Sequence, residues 1–137
     1  MKKLMEKIGE GLVKAFETAG YDSSYAKVTV SNRPDLCEFQ CNGAMAAAKQ
    51  YRKAPIQIAS AVVDALEKGG VIGEAEAAAP GFINLKVNPE ALSEYLNQMQ
   101  MDQDLSVEKA REPKTIIVDY GGANAAKPLH VGHLRSA

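Results

Sequence analysis

His130 and His133 stand three residues apart near the end of the chain, with Gly132 between them and Lys127 shortly before, in the run DYGGANAAKPLHVGHLRSA from Asp119 to Ala137. Side chains at i and i+3 share one face of a helix, so both imidazoles can donate hydrogen bonds to one cluster of phosphate oxygens. A glycine between them removes the side chain that would block close approach of a nucleotide ring, and Lys127 adds a mobile positive charge. Such a group can activate a carboxylate, by stabilising the charge that builds on the α-phosphate of ATP during in-line displacement. Two histidines one helical turn apart are also half of a metal site, and the short pattern H-x-G-H alone does not choose between the two chemistries.

The elements around the histidines could present a phosphate site. Thr115 to Val118 is a β-branched run of the kind buried on both faces in a parallel sheet, a glycine-rich turn follows, and helix-forming residues begin at about His130. A strand that leads through a glycine-rich loop into a helix puts backbone N–H groups and the positive end of the helix dipole where a phosphate can sit. Later residues are needed to complete such a site, so the chain reads as the front end of a longer enzyme.

Cys37 and Cys41 are the only cysteines. The alternation Cys37, Phe39, Cys41 against Glu38 and Gln40 predicts an extended segment, in which their Cα atoms lie about 13 Å apart, beyond disulfide reach. They read as reduced, small apolar residues on a buried strand face. No further cysteine or nearby histidine completes a metal set, and no metal site is expected.

Upstream, Leu4, Ile8, Leu12, Phe16 and Ala19 fall at helical spacing, closed by Gly20. Residues 26–31 and 36–41 read as two strands joined by a turn at Asn32 to Asp35. Asn42 and Gly43 mark a helix start before an alanine-rich run, and Pro55 opens another helix with a stripe of Ile56, Ala59, Val62, Val63 and Leu66. A second strand pair, 71–79 and 82–87, turns at Pro80 and Gly81. Asn88 and Pro89 then start a last helix lined by Leu92, Tyr95, Leu96 and Met99. The expected fold is α+β, a small antiparallel sheet packed with helices over residues 1–105. A polar linker at 106–114 separates it from the truncated start of a Rossmann-like α/β domain at 115–137.

Composition bounds what this assembly can do. With 137 residues, 46% hydrophobic and 24% charged, the chain can bury one ordinary core and carry a short appendage. Sixteen basic against seventeen acidic residues leave a net charge of −1, so no global positive field draws it to nucleic acid and any RNA contact must be local. Charges at Glu6, Lys7, Glu10 and Lys14 interrupt the N-terminal apolar residues, and no run approaches the roughly 20 residues of a membrane span. A cytoplasmic protein without membrane or DNA partners is the expectation.

The sequence VDYGGANAAKPLHVGHLRS resembles the start of the catalytic domain of class I aminoacyl-tRNA synthetases, specifically the arginyl-tRNA synthetase family. EFQCNGAMAAAK at 38–49 and PGFINL at 80–85 resemble that family's N-terminal additional domain, so the resemblance covers essentially the whole chain. It implies an enzyme that joins arginine to its tRNA through an arginyl-adenylate, with ATP, and Mg2+ alongside it, as co-reactants. His130 and His133 would be catalytic and, with Gly132 and Lys127, ATP-binding, while Asn124 and Asp119 would hold arginine. For Asp119, a buried structural acid is an equal alternative. Where the family loop usually has a serine and a proline, Gly121, Gly122 and Ala123 precede Asn124, which implies a more flexible loop here.

For the N-terminal domain the resemblance implies docking near the D loop of tRNA. The candidates are Asn42, Gly43, Lys49, Tyr51, Arg52 and Lys53, where a helix N-terminus, cations and an aromatic ring could together hold phosphates and an unstacked base. Solvated surface charge, and a simple helix cap at Asn42 and Gly43, are the plainer alternatives. On this reading the fragment itself has no ligase activity, binds at most tRNA and carries no cofactor. A free-standing RNA-binding module and a small H-x-G-H nucleotidyltransferase remain as other readings.

Overall fold

The structure is a computed structural model that describes residues 3–107, 109–118, 128 and 130–132. The chain divides into two compact units, Met1–Val107 and Glu108–Ala137. The first contains four helices and a four-stranded antiparallel sheet.

Helix α1 (Leu4–Thr18) buries Ile8, Leu12, Ala15 and Phe16, the stripe its spacing predicts, and the Glu6 carboxylate accepts from the Lys3 N–H at its start. A short 3-10 turn (Ser23–Tyr25) leads to β1 (Val28–Val30), which pairs with β2 (Phe39–Cys41) in the register Thr29 to Gln40. Helices α2 (Gly43–Tyr51) and α3 (Pro55–Ala65) follow, then the hairpin of β3 (Ile72–Ala78) and β4 (Phe82–Val87), and α4 (Pro89–Met101). The sheet order is β1-β2-β4-β3. Cys41, Ile83 and Leu85 point inward and join the buried faces of α1, α2 and α3 in one core.

Three expectations need correction. Residues 36–38 are not strand: Ser31, Arg33 and Asp35 hold a turn, the Arg33 guanidinium donating to both Asp35 oxygens at 3.0 and 2.8 Å, and Cys37 Sγ donates to Ser31 Oγ from within it. Both cysteines are nevertheless free and buried. In α3, Ile58 rather than Ile56 is the fully buried isoleucine. Starting the helix at Pro55 phases its inner face onto 58, 59, 62 and 63, which satisfies i, i+4 spacing as well as the expected stripe does.

The third correction concerns the second unit. Thr115 to Val118 form no strand: Ile116, Ile117 and Val118 are 78%, 90% and 72% exposed, and no described residue pairs with them. A parallel strand is stable only between partner strands and under covering helices, neither of which exists among the described residues. The β-branched run therefore carries the pattern of a buried strand without the sheet that would bury it.

Helix α4 forms where its Asn88 cap and Pro89 predict, Asn88 Oδ1 accepting from the Glu90 N–H at 3.0 Å. Its apolar side is hardly used. No residue of α4 is buried, Leu96 is 54% exposed, and Tyr95 lies against α1 through Lys7, whose Nζ sits 5.4 Å from the ring centroid.

Candidate functional site

The described part of the histidine segment is Pro128 and His130 to Gly132; Asp119, Asn124, Lys127 and His133 lie outside the described residues. Val131 and Gly132 have helical backbone. The Gly132 N–H donates to Nδ1 of His130 at 3.1 Å. With Nδ1 used in this contact, Nε2 is the ring nitrogen by which His130 would meet a phosphate oxygen. The glycine makes the contact possible. A Cβ at position 132 would lie 2.8 Å from His130 Cε1 and 3.0 Å from Nδ1, so a larger residue would displace the ring. Room for the imidazole itself is thus a second reason for glycine at this position.

In the first unit, the sequence candidates separate into groups. Asn42 and Gly43 begin α2, whereas Tyr51, Arg52 and Lys53 lie at its other end, about 13 Å away along a nine-residue helix. The helix N-terminus and the cations therefore do not converge on one ligand. Asn42 is exposed and its side chain makes no capping bond; Cys41 Sγ takes that role, accepting from the Gly43 N–H at 3.4 Å. Burial pushes the Cys41 thiol up, against the pull of the Gly43 and Lys27 backbone N–H groups, so it caps as a neutral thiol. Gly43 is set by packing: a Cβ there would meet the Tyr25 carbonyl oxygen at 1.9 Å.

At the C-terminal end of α2, Tyr51 and Lys53 are engaged within the fold. The Tyr51 hydroxyl accepts from the Asp22 N–H at 2.9 Å, and its ring stands edge-on to Tyr21 at 5.0 Å. Lys53 Nζ reaches the Tyr21 hydroxyl at 3.4 Å and sits 5.5 Å from that ring's centroid. Lys49 and Arg52 are exposed.

The outer face of the sheet carries a row of polar residues. The pairings Thr29 to Gln40, Gln40 to Asn84 and Asn84 to Glu76 set four polar residues in a row across all the strands, and Gln40 Nε2 donates to Asn84 Oδ1 at 2.9 Å. Phe82 shares that face two residues from Asn84 and lies outside the core. Beside them, a depression of about 290 Å³ is lined by Leu36, Lys68, Glu74, Glu76, Asn84 and Lys86 among others. Planar amides next to a half-buried ring can hydrogen-bond a base edge and stack on its face. The sequence signal was there, in PGFINL, but periodicity reports only which face is wet.

An α+β unit of this topology followed by a histidine-glycine helix start defines a synthetase-type N-terminal region. The profile of the arginyl tRNA synthetase N terminal domain matches residues 2–87, and that of the class I (R) tRNA synthetase catalytic domain matches residues 95–137. The chain belongs to the arginyl-tRNA synthetase N-terminal domain family. It is 56% identical to an arginine–tRNA ligase of Agathobacter rectalis over 138 aligned positions and 53% identical to that of Alkaliphilus oremlandii over 137. All of this chain is covered in both comparisons, but it spans only 23% of each relative's length. Among solved structures, Thermus thermophilus arginyl-tRNA synthetase superposes with a TM-score of 0.59 at 26% identity, covering 98% of this chain and 21% of that one. The Plasmodium falciparum enzyme gives 0.62 at 23% identity, covering 99% and 26%, and bears on the fold alone.

Proposed function

We propose that this chain is the leading part of an arginine–tRNA ligase, in which Met1–Val107 docks tRNA and the segment from Asp119 onward begins the site that activates arginine with ATP. The observation that carries the reading is the order of the two family matches along one short chain, an N-terminal domain and then the head of a catalytic domain.

In the proposed reaction a carboxylate oxygen of arginine attacks the α-phosphate of ATP and pyrophosphate departs; a terminal ribose hydroxyl of the tRNA then attacks the arginyl carbonyl and displaces AMP. ATP supplies the leaving group, and a Mg2+ ion, when bound, would screen its phosphates. His130 and His133 donate hydrogen bonds to the oxygens that gain charge, Gly132 keeps the first ring in place, Lys127 adds charge, and Asn124 and Asp119 hold the polar head of arginine. Catalysis belongs to the longer polypeptide, and the 137-residue chain contributes RNA docking. The free buried cysteines fit a reducing compartment, which supports a cytoplasmic location; no described helix is long and apolar enough to cross a membrane.

The test is His133→Ala in a full-length ligase that carries this chain as its N-terminal part. Arginine-dependent exchange of pyrophosphate into ATP should fall by about 100-fold or more, with the melting temperature nearly unchanged. Equal loss of activity and of stability would assign His133 to structure instead.

A further inference from the structure

We propose that Lys49 and Arg52 form a contact pair for RNA phosphodiester groups, while Lys53 and Tyr51 beside them hold the fold together. The inference rests on the reading of the first unit as a tRNA-docking domain, and it separates residues that look equivalent in sequence. Lys49 lies in the last turn of α2 and Arg52 caps it, so both cations stand at the same end of the helix. Neither side chain has a hydrogen-bond or ion-pair partner among the described residues. Asp22 is an acid close to this end of the helix, and its carboxylate is occupied by the Ser24 N–H at 2.7 Å.

The backbone points the same way. Arg52 closes α2 with φ 50° and ψ 40°, its N–H donating to the Ala48 carbonyl. This left-handed position is one that glycine or asparagine fills at least cost, because a Cβ crowds the following carbonyl. The last turn already has Lys49 to complement the helix dipole, and Lys53 to pack on Tyr21, so neither dipole nor packing requires an arginine here. A guanidinium can bind a phosphate through two parallel N–H groups, and the ammonium of Lys49 can take the neighbouring phosphate of the same strand. The outer face of the sheet is a poorer phosphate site, since Glu74 and Glu76 line it.

The experiment is titration of the 137-residue chain with arginine tRNA across a series of salt concentrations, for wild type, Lys49→Ala, Arg52→Gly, Arg52→Lys and Lys53→Ala. Loss of one phosphate contact should lower the slope of log affinity against log salt by about one, so Lys49→Ala and Arg52→Gly should each do so and weaken binding several-fold at moderate salt. Arg52→Gly should melt at the wild-type temperature or above it. Arg52→Lys should keep the slope, and Lys53→Ala should keep it while melting lower. Wild-type slopes in Lys49→Ala and Arg52→Gly, with tRNA still bound, would overturn the assignment and leave the docking reading intact. A wild-type chain that does not bind tRNA even at low salt would overturn both.

Discussion

At the level of single residues, two side-chain types do something other than what their class suggests. Asn42 has the identity of an N-cap and the position of one, yet the cap of α2 is the Cys41 sulfur. This follows from burial: Cys41 is fully enclosed at the end of β2, so its Sγ is the acceptor already inside when the chain turns. Gly43 is legible as a turn residue, but its reason is the Tyr25 carbonyl pressed where a Cβ would sit, a contact between residues far apart in sequence. Gly43→Ala should therefore cost about 3 kcal/mol, since the clash is with backbone and no rotamer relieves it. Urea unfolding measures this; a loss below about 0.5 kcal/mol would show that the α2 start can shift away from Tyr25.

Among the elements, those packed on the shared core were readable in both place and burial, whereas α4 was readable in place alone. The two helices with wide apolar stripes, α1 and α3, and the β3-β4 hairpin appear where spacing, Pro55, Pro80 and Gly81 place them. Residues 36–38 depart from the expected strand because Cys37 shares the alternation of Phe39 and Cys41 while the Arg33–Asp35 ion pair bends the chain into a turn. Period and propensity also cannot say whether an apolar stripe is covered, and α4 and residues 115–118 both carry the pattern with most of it exposed. Paired substitutions separate the two cases. Leu85→Ala, in the centre of the sheet, should lose about 2–5 kcal/mol, whereas Leu96→Ser on α4 should change stability by no more than about 0.5 kcal/mol in this chain. A large loss for Leu96→Ser would mean that α4 is part of the first core.

For the whole molecule, the core of the first unit is built, among the described residues, from residues between Leu4 and Val87. Deleting residues 113–137 should leave the melting temperature within about 2 °C of the parent chain, by calorimetry. A clear drop would show that the tail braces the first unit. The candidate site was legible in unequal parts. The histidine motif is local in sequence and announces itself, while the amide row of Gln40 and Asn84 exists only once β2 and β4 pair across 44 positions. The basic end of α2 is legible in the run Lys49 to Lys53, although acids elsewhere cancel it in the net charge.

The central claim is that the first unit meets tRNA at its D-loop region, and one titration addresses it directly. The isolated chain is titrated with arginine tRNA and with the same tRNA carrying an altered D loop, each at two salt concentrations to remove nonspecific phosphate attraction. Binding that survives moderate salt and weakens about tenfold or more with the altered loop is the predicted result. Equal affinity for the two RNAs at both salts would contradict it.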